Sequence, residues 1–122
     1  DLIVASEKFS ARYTGDANPR RALKRLFAGP CRFAAVTLGK RGSVGYDGKR
    51  FIACPPCDVK VVDKTGAGDV YHGAFAFAYA AGKPWDECMR FATAVAALKC
   101  TAFGGRTGIP TLKATLSAMR QA

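Results

Sequence analysis

Apolar residues in this chain fall into short continuous runs set between stretches of helical periodicity. Leu2-Ile3-Val4-Ala5 is such a run and predicts a buried strand, after which Ser6-Glu7-Lys8-Phe9 open a short helix that ends near Gly15. Asp16 offers an N-cap to a second helix, with Pro19 near its first turn and Gly29-Pro30 stopping it after about Phe27. On that helix Leu23, Leu26 and Phe27 share one face, while Arg20, Arg21, Lys24 and Arg25 lie on the other. The run Arg32 to Leu38 predicts a further buried strand, parallel to the first, so that strand, two helices and strand make a right-handed crossover.

The texture then changes. Ser43-Val44-Gly45-Tyr46 and Lys49-Arg50-Phe51-Ile52 flank Asp47-Gly48, a strong hairpin signal, and predict an antiparallel pair at a sheet edge. Val59 to Val62 predicts one more strand. From Asp69 to Ala81 small and aromatic residues surround the axis, which predicts a helix buried on most sides and ended by Gly82. Pro84 starts another helix, to about Cys100, whose apolar face includes Trp85, Met89, Phe91, Val95 and Leu98. The glycines and proline between Phe103 and Pro110 predict a loop, and a last amphipathic helix runs from about Thr111 to Met119. The alternation of strands and helices predicts an α/β fold.

Composition narrows the picture. A chain of 122 residues fits one small domain or a part of one. It starts abruptly on a strand without Met, and the expectation is a fragment. No apolar run approaches the roughly 20 residues that span a bilayer, so a soluble, cytoplasmic protein is expected. Five cysteines (Cys31, Cys54, Cys57, Cys88, Cys100) form an odd set placed mostly in or beside predicted elements, which favours reduced thiols over a disulfide scaffold. Cys54-Pro55-Pro56-Cys57 has the spacing of a redox or zinc pair, but it lacks both an acidifying helix start and two further ligands. The formal charge is +10. Such a balance favours anionic partners. A nucleic-acid stripe on the second helix is the weaker reading, because no aromatic residues interleave with its cations.

The chemistry concentrates between Val61 and Phe75. Two β-branched residues lead to Asp63, then Lys64, Thr65 and a bare turn of Gly66, Ala67 and Gly68, and then Asp69 at the start of an apolar helix. Backbone N–H groups leaving such a turn, together with the positive end of a helix dipole, suit an anion. An acid placed there is either a cap or a base. The spacing matches neither the dinucleotide fingerprint nor a Walker lysine loop.

Asp63-Lys64-Thr65-Gly66-Ala67-Gly68-Asp69-Val70-Tyr71-His72-Gly73-Ala74-Phe75 resembles the second signature of the ribokinase-like (PfkB) carbohydrate kinases. The resemblance extends to Val36-Thr37-Leu38-Gly39-Lys40-Arg41-Gly42-Ser43 and to the stretch from Ala96-Ala97-Leu98 through Gly104-Gly105 to Ile109-Pro110. It implies that residues 1–122 are the C-terminal nucleotide-binding and catalytic portion of a sugar kinase. The fold would be part of a three-layer α/β/α sandwich, its sheet mainly parallel with an antiparallel edge hairpin. The N-terminal substrate and lid part would be absent, so the isolated stretch would have little activity.

The resemblance also implies residue roles. Asp69 would be the general base that takes the proton from a sugar hydroxyl, and the amides of Gly66, Ala67, Gly68 and Asp69 would form the anion hole. Thr37, Gly39, Gly42, Thr93, Gly104 and Gly105 would approach ATP. Mg2+ would accompany the nucleotide, and Asp63 and Thr65 are the positions offered to a monovalent cation, K+. A homodimer through the missing lid would follow the same pattern. Two departures stand out: Ser6-Glu7-Lys8-Phe9 replaces the family's Asn-x-x-Glu, and Lys64 replaces a common Thr. His72 reads as structural. The ending from Ala96 to Pro110 is similar to a branch that includes sulfofructose kinases. The alternatives are a non-catalytic nucleotide-binding or scaffolding fragment and a charge-driven nucleic-acid binder.

Overall fold

The computed structural model describes residues 1–104 and 108–121. The chain divides into two units, Asp1–Pro55 and Pro56–Ala122.

In the first unit, β1 (Leu2–Ser6), α1 (Glu7–Thr14), α2 (Pro19–Leu26) and β2 (Phe33–Thr37) follow one another, and β3 (Ser43–Tyr46) and β4 (Phe51–Cys54) complete a sheet of order β1-β2-β3-β4. Ser6 caps α1 by accepting the Phe9 amide, and Gly15 closes it in the left-handed conformation. The second helix is capped by Asn18, not by Asp16. The Asn18 side chain accepts the amides of Arg20 and Arg21, while Asp16 accepts the Asn18 amide and the Arg21 guanidinium at 2.9 Å each. Leu23 and Leu26 on α2 pack on Ala34, Val36 and Val44 of the sheet, with Phe27, Tyr46 and Phe51 at the margin. Each buried Leu or Val of this set contributes about 1.5–3 kcal/mol through its removal from water.

The sheet departs from the mainly parallel expectation. Among the described residues only β1 and β2 run parallel, and the β2–β3 and β3–β4 ladders are antiparallel. The hairpin is real, but its second strand starts two residues later than the sequence pattern suggests. The Asp47 carboxylate accepts the amides of both Lys49 and Arg50 at 2.9 Å, which holds those residues in the turn, and Tyr46 pairs with Phe51.

In the second unit α3 (Ala67–Ala80), α4 (Trp85–Lys99) and α5 (Leu112–Gln121) pack together, α3 chiefly on α4. Tyr79 stacks on Trp85 and Phe77 on Phe91 at the seam. Thr111 accepts the Ala114 amide and so starts α5. Two expectations fail here. The segment from Val59 to Val62 is not a strand: the amides of Val62 and Asp63 both donate to the Cys100 carbonyl at the end of α4, in place of a ladder. And α3 is buried on one side only, through Tyr71, Ala74, Phe75 and Ala78, leaving Phe77 55% exposed. Among the described residues no helix is long and apolar enough to cross a membrane, and no cysteine forms a disulfide.

Candidate functional site

The turn that leads into α3 is built around Asp63. Its Oδ1 accepts the Thr65 amide at 2.9 Å and the Thr65 hydroxyl at 2.6 Å, and its Oδ2 accepts the Gly104 amide at 2.8 Å. An Asp at this place can fold the next two residues back on itself, because a short carboxylate reaches its own backbone two positions on. These donors favour the ionised form. The Thr65 hydroxyl bond, then the Gly104 and Thr65 amides, hold the carboxyl down at about 2, with a smaller pull from Lys99.

Lys99 stands in this cluster and was not singled out in the sequence. It is fully buried, and its Nζ donates to the Asp63 main-chain carbonyl at 3.4 Å. The only signal is a cation at the end of an otherwise apolar helical run, which ordinarily reads as a dipole-complementing surface lysine. Beyond Gly104, Gly108 packs so closely that an added Cβ would lie 2.1 Å from the Lys99 carbonyl oxygen.

Gly66 has φ of +75°, a left-handed conformation that lets the chain turn from Thr65 into the helix. The Ala67 amide donates to the Lys64 carbonyl at 3.0 Å, and the Val70 amide makes the first helical bond, to Gly66. Gly68 and Asp69 are the second and third residues of α3, where backbone amides have no intrahelical acceptor. Both residues are exposed, and so is the Asp69 side chain's position in the first turn. His72 follows on the same turn, its Nδ1 2.6 Å from the Gly68 carbonyl oxygen; a carbonyl only accepts, so Nδ1 carries the proton. The arrangement can hold an anion against amides at a helix start, with a carboxylate one residue away.

The first unit carries the other glycine turn. Thr37 ends β2 and donates its hydroxyl to the Ala5 carbonyl at 3.5 Å. A single 3-10 turn, Gly39–Arg41, follows, with Gly39 at φ +60° and Gly42 at φ +88°. Nothing lies within 4 Å of a Cβ built on Gly39. Arg41 in that turn forms a two-oxygen ion pair with Glu7 at the start of α1. Glu7, at the departure from the Asn-x-x-Glu pattern, is thereby tied to the turn. A cavity of about 350 Å3 in this unit is lined by Asn18, Arg20, Leu38, Arg41, Ser43 and Cys54, and none of the expected nucleotide residues is among its walls.

The structure brings Asp63, Thr65 and Gly104 into one hydrogen-bonded cluster and sets Gly66 to Asp69 directly after it. Thr93 lies on α4, where its hydroxyl donates to the Met89 carbonyl at 2.7 Å. Gly105 lies outside the described residues. Among the described residues no three His, Cys, Asp or Glu side chains gather as a metal cage. The basic face of α2 is used within its own unit: Arg21 pairs with Asp16, Arg25 donates to the Thr14 carbonyl, and Arg20 and Lys24 lie over the Phe51 ring.

Comparison with known proteins gives a consistent result. The profile of the pfkB family carbohydrate kinases matches residues 1–112. A ribokinase of Lactococcus lactis is 32% identical over 103 residues, which is 84% of this chain and 34% of the relative. The crystal structure of Arabidopsis thaliana ribokinase complexed with ribose and ATP superposes with a TM-score of 0.89 at 31% identity, over 98% of this chain and 41% of that one. A Thermotoga maritima ribokinase structure gives 0.87 at 29% identity, over 98% and 42%. The chain thus spans about a third of the curated relatives it matches.

Proposed function

The chain belongs to the pfkB family of carbohydrate kinases, and on that premise we propose that it supplies the nucleotide-binding and phosphoryl-transfer part of an ATP-dependent kinase acting on a hydroxyl of a sugar or sugar derivative. The observation that carries this reading is the exposed Asp69 carboxylate in the first turn of α3, beside first-turn amides that the helix leaves without acceptors.

Phosphoryl transfer asks the protein for placement and charge stabilisation more than for covalent help. The Gly68 and Asp69 amides receive the charge on the transferred group, and the Gly66 turn aims them. Ala67 donates to Lys64 in the resting turn, so its share in a four-amide anion hole requires that bond to open. Asp69 accepts the proton of the attacking hydroxyl, which raises the nucleophilicity of that oxygen as the bond to phosphorus forms. The family resemblance assigns ATP to Thr37, Gly39 and Gly42 in the first unit and to Thr93, Gly104 and Gly105 in the second, and a hydroxyl or bare glycine backbone is what a phosphate or nucleoside can approach closely. Mg2+ neutralises phosphate charge when bound.

The test is made in the complete gene product that carries this stretch. Asp69→Asn is expected to lower turnover by about 10²–10⁴-fold, the range of general-base catalysis, with ATP affinity kept. Unchanged turnover of any sugar that the protein phosphorylates would remove Asp69 from the reaction. The isolated stretch of 122 residues is expected to bind nucleotide weakly and to phosphorylate no sugar.

A further inference from the structure

We propose that Glu7 and Arg41 are positioning residues for the nucleotide: their ion pair is a strut that holds the glycine turn at residues 39–42 in place. The nucleotide part of the proposal rests on the kinase reading, which assigns that turn to ATP, whereas the strut itself does not.

The two residues stand at neighbouring exits from the sheet. Ser6 and Thr37 are partners in the parallel β1–β2 ladder. The chain that leaves Ser6 enters α1 with Glu7 as its first residue, and the chain that leaves Thr37 enters the turn. Glu7 is fixed by its own helix, because the Ser6 hydroxyl accepts the Phe9 amide at 3.1 Å and so caps α1. One guanidinium nitrogen of Arg41 donates to both carboxylate oxygens of Glu7, across 34 positions of sequence. A hydrogen bond between two charged groups is stronger than one between neutral groups.

The turn needs such a tie. Its backbone bonds are internal: the Leu38 amide donates to the Gly42 carbonyl at 2.8 Å, the Arg41 amide to Leu38 at 3.2 Å and the Gly42 amide to Gly39 at 3.1 Å. Leu38 packs on the core at the base of the turn. Beyond it, Gly39 and Gly42 have no side chains to anchor, nothing lies within 4 Å of a Cβ built on Gly39, and Lys40 is exposed. Among residues 39–42, Arg41 alone makes a side-chain bond to another element. The pair is at the surface, with the Arg41 and Glu7 side chains 57% and 40% exposed. An exposed pair contributes little to global stability, so its effect falls on the placement of the turn. Bare backbone recognises a phosphate only as well as its amides are already held in position, since ordering them on binding costs affinity.

The experiment uses the complete gene product that carries this stretch, with Glu7→Gln, Arg41→Gln, the double variant and the charge swap Glu7→Arg with Arg41→Glu. Amide exchange at residues 39–42 is expected to speed up in both single variants, with exchange in α1 and in the β1–β2 ladder kept. Testing the pair from both sides separates the strut from any effect of Glu7 on its own helix start. The Kd and KM for ATP are expected to rise about two- to fivefold, the span that an exposed ion pair can supply, while kcat, the KM for the sugar and Tm stay as in the wild type. The double variant should be no worse than either single one, and the charge swap should recover part of the loss. Unaltered exchange at residues 39–42 in the single variants would overturn the strut. Tighter ATP binding by Glu7→Gln would overturn the proposal as well, since Glu7 would then be withholding Arg41 from the phosphates, and so would additive losses in the double variant. A wild-type protein that binds no nucleotide would remove the kinase reading and the nucleotide part of this proposal, and the exchange comparison would still decide the strut.

Discussion

Asp63 and Gly104 are 41 positions apart, and a carboxylate oxygen of the first accepts the amide of the second at 2.8 Å. The other oxygen of the same carboxylate orders Thr65. One side chain therefore sets both the turn before α3 and the segment that follows α4. The two acids of the glycine turn therefore differ in their surroundings: Asp69 is exposed, whereas Asp63 orders the turn that precedes it.

That clamp depends on charge. The Asp63 carboxyl titrates at about 2 in the folded chain against 3.8 for an ordinary Asp. A carboxylate held below its unfolded value contributes stability that is complete above that value and is lost as pH falls through the folded one. The urea midpoint of the wild-type chain should therefore decline between pH 3.8 and about 2 more steeply than that of Asp63→Asn. The variant should be less stable at neutral pH, and its Gly104 amide should exchange faster. Parallel pH profiles for the two proteins would show that the carboxylate contributes nothing.

Gly108→Ala tests the close approach to α4. The added methyl would sit 2.1 Å from the Lys99 carbonyl oxygen, a backbone atom at the end of a packed helix. Relief requires moving the loop and not a flexible side chain, so the cost should reach about 3 kcal/mol, the upper part of the overpacking range. Denaturant unfolding measures it. A loss below about 1 kcal/mol would mean that the loop yields freely.

In the first unit Leu23→Ala removes a fully buried side chain from the helix–sheet core. A loss of about 2–5 kcal/mol is expected from transfer and cavity costs together. The exposed neighbour Lys24, which lies over the Phe51 ring, should give less than about 1 kcal/mol on truncation. Chemical denaturation of both variants checks the contrast.

Much of this architecture was legible in advance, for local reasons. The helix start at Ser6 and its end at Gly15, the proline at the start of α2 and the apolar runs of β1 and β2 each act within a few residues, and each is observed, whereas the N-cap expected of Asp16 is Asn18. What failed depended on distant partners. Val59 to Val62 has strand-like residues, but the amides of Val62 and Asp63 are taken by Cys100. The sheet's polarity turned on the hairpin, whose strands are half of the sheet. At the candidate site, Asp63, Thr65 and the glycines could be read from a local motif. Lys99 could not, because a helix-terminal lysine looks the same in sequence whether it faces water or is fully buried against Asp63.

Gly68 separates the structural use of the turn from its chemical use. The residue is the second of α3, its φ is not positive, and nothing lies within 4 Å of a Cβ built on it. Alanine is the better helix former there, so Gly68→Ala should leave stability unchanged or raise it by up to about 1 kcal/mol. If phosphate oxygens approach the bare backbone, the same methyl obstructs them, and affinity for ATP should fall by about tenfold or more, some 1.4 kcal/mol. Thermal unfolding and calorimetric nucleotide titration of the complete gene product give both quantities. A variant that is as stable as the wild type yet binds ATP poorly would place the glycine in recognition. Undiminished affinity would mean that the nucleotide keeps clear of this turn, and the anion-binding role of the Gly68 and Asp69 amides would fall with it.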